Sequence, residues 1–421
     1  MKTGFWSVQF STKSCNFARH KKSQQLNRPE SLVALRKNPL LWGRISQGTG
    51  PSTSGGSVLH FDKAEIEVLR LCAWCKNLPA KRCRSIPAEI LDSLVQYKLI
   101  RLSKNRLAYR CTPEGFAILQ GAEIPYLQDK DYRSSGGKLE RRLQMAEITS
   151  FFWRYGADVF AEAPPAEKQS NIFLPAYTLR RQQHADVLGG SKMAGFYYTQ
   201  ETLFVSYFVS QECGGVYPEV EQRIFRSDML LQGRTPHILY TGEGDLNTLV
   251  KTVSWKKELS AKATTTYYKD AMGLFNCPVA IVPMDEEGMR QLRILSVPNY
   301  RQRLMKNLLG ENYLPPTSSM FDGRTKSENY IIGFDCNILR FENAVRTKKP
   351  TNIFVLPFQS KFVEKMVEGS NATSYVIDYD EIEKYFGLPS ELPAIDCTPF
   401  QTGKGNYVDV PLLGKNKKAG R

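Results

Sequence analysis

Histidine is scarce: His20, His60, His184 and His237 are the four in 421 residues, far apart, and none belongs to an HxH or an HxxR. That excludes a relaxase built on a histidine-held metal and a tyrosine recombinase of the HxxR type. No GxxxxGK[ST] loop occurs to cradle nucleotide phosphates; the nearest segment, Gly136-Gly137-Lys138, lacks the leading glycine. Long apolar runs are missing too. The longest, such as NIFVLPF at 352–358, have strand length, far below the about 18 residues that read as a membrane span. The N-terminus is basic and acid-poor, like an organellar presequence, but has no apolar stretch for a secretory signal. Nine scattered cysteines then read as reduced thiols rather than a disulfide frame. The expected setting is the cytoplasm, with no membrane partner.

Acidic residues are what the first part of the chain lacks most. Residues 1–60 hold nine Lys or Arg against the single acid Glu30, and residues 61–121 hold eleven against six. Thirteen of the net fifteen positive charges therefore lie before residue 122, and the rest of the chain is nearly neutral. A polyanion-binding end has this asymmetry.

Residues 1–56 show no apolar periodicity and end in GTGPSTSGG, so they read as a disordered basic arm and linker. From 57 to 121 the pattern is that of a winged helix-turn-helix. Asp62 and Glu65 make a capping box for a helix apolar on more than one face. PAKRCRS gives a short second turn, and a third helix sets Ile90, Leu91, Leu94 and Val95 against Glu89, Asp92, Ser93 and Gln96. Two strands, 100–102 and 107–111, flank the turn Ser103-Lys104-Asn105-Arg106. Leu107 and Tyr109 are expected inward, with Arg106, Ala108 and Arg110 outward.

Residues 122–160 read as a connecting helix with Phe151, Phe152 and Trp153 in a core. Residues 161–390 alternate strands (194–198, 202–208, 237–241, 278–284, 329–335, 352–358, 373–378) with helices (218–233, 245–257, 285–295, 336–347, 359–369, 380–386). That alternation predicts an α/β domain with a mixed, partly parallel sheet. Residues 391–421 read as a flexible tail.

GGKLERRLQMAEITSFFWRYGADVF, LGGSKMAGFYYTQETLFVSYF and NRLAYRCTPEGFAIL together resemble winged-helix proteins of Firmicutes mobile and conjugative elements, a group distantly similar to the replication-relaxation family. The resemblance spans about residues 58–390 and implies DNA binding in plasmid replication, conjugation or regulation, alongside replication or transfer proteins.

The candidate DNA contacts are Lys81, Arg82 and Arg84 before the third helix and Lys104, Arg106 and Arg110 on the wing, where this architecture meets phosphates. Gln96 is the candidate base reader; no arginine on that helix face offers a bidentate contact to guanine. Cys72 and Cys75 form a CxxC, but inside an apolar helix and without a second pair, so they read as core thiols rather than zinc ligands. Asp335 with Gln359 and Lys361 parallels a restriction-type nuclease core with one carboxylate missing. The reading is a duplex DNA-binding protein with no catalytic residue, cofactor or metal. The alternatives are a degenerate nuclease and a winged helix that recruits a protein partner.

Overall fold

The computed structural model describes residues 45–46, 58–80, 86–127, 137–166, 169–181, 185–210, 215–256, 266–275, 277–391 and 407–411. Strand β1 (Ile45–Ser46) pairs with β2 (Val58–Asp62), which leads directly into helix α1 (Lys63–Cys75). The capping box forms as expected. The Asp62 carboxylate accepts from the Ala64 amide at 2.8 Å, and Glu65 accepts from the Asp62 amide at 3.1 Å, satisfying donors that the first helical turn leaves orphaned. Glu65 also accepts from Ser93 Oγ at 2.5 Å, tying the cap to α2 (Ala88–Gln96).

Strands β3 (Leu78–Pro79), β4 (Ile100–Leu102) and β5 (Ala108–Cys111) form an antiparallel sheet in the order β3-β5-β4. Helix α3 (Pro113–Gly121) closes the unit, capped by Thr112, whose hydroxyl accepts from the Gly115 amide at 3.1 Å. Gly115 lies so close to the Leu99 carbonyl that a Cβ there would stand 2.3 Å from it, which is why the helix start needs glycine. The order α1, β3, α2, β4, β5, α3 is that of a winged helix. The helical turn expected at PAKRCRS falls mostly on residues 81–85, outside the described residues.

Helix α4 (Gly137–Arg154) follows the winged helix. Every residue from Leu143 to Trp153 is buried, Phe151, Phe152 and Trp153 among them as expected. Thr149 and Ser150 survive there by donating to the Met145 and Ala146 carbonyls, each at 2.7 Å. On one side Leu139 and Leu143 cover Ala108 of the wing sheet; on another, Phe152 stacks on Phe173 at 4.3 Å. One continuous core runs from Leu59 to Ile382, so the winged helix and the α/β part are packed as one body.

The expected facing of the wing's second strand holds at Tyr109, which packs against the core, and fails around it. Ala108 is buried, Leu107 is 45% exposed, and Arg110 Nε donates to Asn77 Oδ1 at 2.9 Å instead of standing free. In α2, Ile90, Leu91 and Leu94 are buried as expected, but Val95 is exposed and Ser93 is half-buried on Glu65.

The α/β part holds two mixed sheets where one was expected. The first has five strands: β6 (Ile172–Pro175), β7 (Gly195–Tyr198), β8 (Thr202–Phe208), β9 (Thr235–Thr241) and β10 (Val279–Ile281). In it β8, β9 and β10 run parallel and β6 and β7 antiparallel. The second contains β11 (Gly323–Arg324), β12 (Asn329–Ile332), β13 (Thr351–Val355) and β14 (Ala372–Val376), with the last three parallel. The sheets meet where the Ile281 amide donates to the Asp335 carbonyl at 2.9 Å. The helices that flank the sites below are α5 (Leu246–Ser254), α6 (Glu286–Leu295), α7 (Tyr300–Leu309), α8 (Ile338–Arg346), α9 (Ser360–Val367) and α10 (Tyr379–Phe386). The helix expected over 218–233 is two pieces, Pro218–Ile224 and Asp228–Leu231.

The chain also returns to its start. Strand β15 (Tyr407–Pro411) pairs antiparallel with β2, Tyr407 opposite Asp62 and Pro411 opposite Val58. Part of the supposed tail, and residues 45–46 of the supposed arm, therefore belong to a sheet on the winged helix. No helix among the described residues is long and apolar enough to cross a membrane.

Candidate nucleic-acid interface and the clefts of the α/β body

The wing tip is the concentrated cationic surface of the described module. Lys104 and Arg106 sit on the turn, Arg106 with a positive φ of 55°, and Arg101 precedes them on β4; all three are exposed. Ser103 and Asn105 shape the turn: Ser103 Oγ donates to Asn105 Oδ1 at 2.6 Å, and the Ala108 amide donates to Ser103 Oγ at 3.1 Å. No ion pair among the described residues engages Arg101, Lys104 or Arg106. Arg101 stands directly opposite Arg110 in the ladder. Like charges in that position repel, and the bond from Arg110 to Asn77 draws the second guanidinium aside. Sequence reasoning missed Arg101, although its alternation with Ile100 and Leu102 placed it on the outer face.

Lys81, Arg82 and Arg84 lie outside the described residues. Gln96 is exposed on α2 as expected, beside Glu89, Asp92 and Val95. That helix face is acidic and apolar and offers no cation for a phosphate. Cys72, Cys75 and Cys111 are buried thiols. Burial pushes the Cys111 thiol far above its ordinary pKa.

The nuclease arrangement does not assemble. Asp335 is buried, and its carboxylate accepts from Arg301 and, at 3.3 Å, from Arg340. Arg340 also pairs with Asp322, which accepts from the Ile332 amide at 2.7 Å. Two guanidiniums thus neutralise the carboxylates that a cation would need. Gln359 is committed as well, donating to the Phe334 carbonyl at 3.0 Å and accepting from the Leu356 amide at 3.0 Å. Lys361 is exposed on α9. Among the described residues, no three His, Cys, Asp or Glu side chains are grouped to hold a metal ion.

Two clefts open in the α/β body. One, of about 440 Å³, lies at the carboxyl ends of β9 and β10, between Gly242–Asp245, Met284–Glu286 and the α4 residues Glu147 and Phe151. Open parallel sheets take their ligands at such ends, but Glu147, Glu243, Asp245, Asp285 and Glu286 line this one and would repel phosphate. Burial, reinforced by Glu287 and Glu286, raises the Asp285 pKa, although its carboxylate accepts from the Gly288 amide at 2.9 Å. The other cleft, of about 290 Å³, lies at the amino ends of β8, β9 and β10 against the corner between α6 and α7.

No family model, curated protein or solved structure matches the chain.

Proposed function

We propose that this chain binds duplex DNA in the cytoplasm through the wing of its winged helix, with little sequence preference, in the replication, transfer or regulation of a mobile genetic element. The observation that carries the reading is the trio Arg101, Lys104 and Arg106, exposed on one hairpin and without a salt-bridge partner among the described residues. Three exposed cations on one hairpin repel one another, and a polyanion relieves that repulsion. The sequence adds charge in segments adjacent in the chain to strands of this module. Residues 412–421 carry Lys415, Lys417, Lys418 and Arg421 with no acid, and they follow Pro411, which stands opposite Val58. The basic residues 1–44 lead into the other side of that sheet through β1.

Reversing charge at two wing positions tests this. Arg101→Glu with Arg106→Glu should abolish binding to every duplex equally, since phosphate contacts position a protein without reading bases. Loss on one sequence only would contradict wing-led binding. A second reading, a protein-recruiting winged helix, rests on Val95, Leu102 and Leu107, apolar side chains exposed on the same module. It gains if Leu102→Asp with Leu107→Asp changes the sedimentation of the protein while duplex affinity stays as it was.

A further inference from the structure

The smaller cleft holds two groups that the fold does not use up. His237 stands on β9 with its ring edge-on to Phe204 at a centroid distance of 5.4 Å, and neither ring nitrogen hydrogen-bonds within the described residues. The ring is half-buried on the wall of the cleft, so its nitrogens are open to water or to a ligand there. Burial first, and then the Arg301 charge, push its pKa down to about 4. Near pH 7 the ring is therefore neutral and offers one N–H donor and one acceptor nitrogen.

Arg301, on the first turn of α7, lines the same cleft. Its Nε donates to Tyr300 Oη at 3.0 Å and one Nη donates to Asp335, while the other lies 4.0 Å from Asp322. These contacts fix the guanidinium in place without exhausting its five N–H groups, and about a quarter of the side chain remains exposed. Phe204, Val279 and Leu295 supply apolar surface in the same lining, next to the polar Thr202 and Thr235. A fixed donor pair beside an apolar wall is the usual make-up of a small-molecule site, and about 290 Å³ lies at the small end of such sites.

We propose that this cleft binds a small monocarboxylate with an apolar body, the carboxylate accepting from Arg301 and from the His237 N–H and the body lying against Phe204, Val279 and Leu295. A monoanion suits the electrostatics. Asp335, which itself lines the cleft, pairs with Arg301, Asp322 lies 4.0 Å from it, and Glu201 is also in the lining; these carboxylates oppose a second negative charge, so a phosphate is held less well. The site is independent of DNA binding by the wing.

Benzoate is the probe, titrated into the full chain by ligand-observed NMR and calorimetry, with inorganic phosphate as the head-group control. Saturable benzoate binding in the millimolar range is expected, with phosphate weaker. His237→Leu removes no internal hydrogen bond, so the variant should fold; it should weaken benzoate about tenfold. His237→Gln, which keeps a donor, should recover part of the loss. The proposal is overturned by benzoate that never saturates up to about 20 mM, by unchanged benzoate affinity in His237→Leu, or by phosphate binding as tightly as benzoate.

Discussion

The two halves of the molecule use their cations in opposite ways. On the wing, Arg101, Lys104 and Arg106 stand exposed with no ion pair among the described residues. In the α/β body several guanidiniums are committed to internal partners. Arg340 bridges Asp322 and Asp335, and Arg290 clasps Glu383 through two bonds of 3.0 and 2.9 Å while lying 4.1 Å over the Tyr379 ring. Arg234 donates to the Thr199 and Gln169 carbonyls at 2.7 and 2.6 Å. The same residue type thus serves cohesion in one half and stands exposed in the other. Substitutions should separate the two roles: body arginines should govern stability, and wing cations should govern salt-dependent binding.

The largest effect is expected at Arg340. Arg340→Ala strands two buried carboxylates, Asp322 and Asp335, and should cost about 3–5 kcal/mol in urea unfolding. A loss below about 1 kcal/mol would mean that Arg301 compensates and that the network is looser than its geometry.

Ala108 comes next, because it tests whether the wing is truly docked on α4. Ala108→Leu overfills the contact with Leu139 and Leu143 and should destabilise by about 1–3 kcal/mol. The outward-facing alanine that the sequence pattern suggests would leave stability within about 0.5 kcal/mol.

A pH effect of comparable sign follows from His237. Its folded pKa of about 4 lies below the unfolded 6.5, so the unfolded chain binds the proton first as pH falls. The stability tied to the neutral ring is whole above about 6.5 and is lost on descending toward 4. His237→Leu should flatten that stretch of the stability curve, and a curve of unchanged shape would show that the ring is well solvated. Smallest is the cap: Asp62→Ala should cost about 1 kcal/mol, and no loss at all would make the bond between Glu65 and Ser93 sufficient to hold the start of α1.

Much of this architecture was legible beforehand, since the seven strands expected in the α/β part all form, as do the capping box and the wing. Local patterns wrote those elements. What failed depended on distant partners. Ala108 turns inward because α4 covers a face that the hairpin sequence cannot announce, and Ser93 leaves the solvent face because Glu65 reaches it from another helix. Strand β15 pairs with β2 across more than 340 residues, and its short Val408-Asp409-Val410 alternation cannot name so distant a partner. At the candidate interface, Lys104, Arg106 and Gln96 lie exposed as read, Arg110 is diverted to Asn77, and Arg101 joins them from the first strand of the hairpin rather than from its turn. Asp335 looked like a metal ligand because its two arginine partners lie on α7 and α8, one of them 34 residues away.

The measurement that bears most directly on the contrast is fluorescence anisotropy of a short duplex between about 50 and 200 mM salt, with the wild type beside Lys104→Ala/Arg106→Ala. Each phosphate contact adds about 0.9 to the steepness of log K against log salt. The double variant should therefore bind more weakly on every sequence, with a slope shallower by about 2 and an unchanged melting temperature. Coinciding curves for the two proteins would mean that the wing cations do not touch DNA, and the account would fail at its centre.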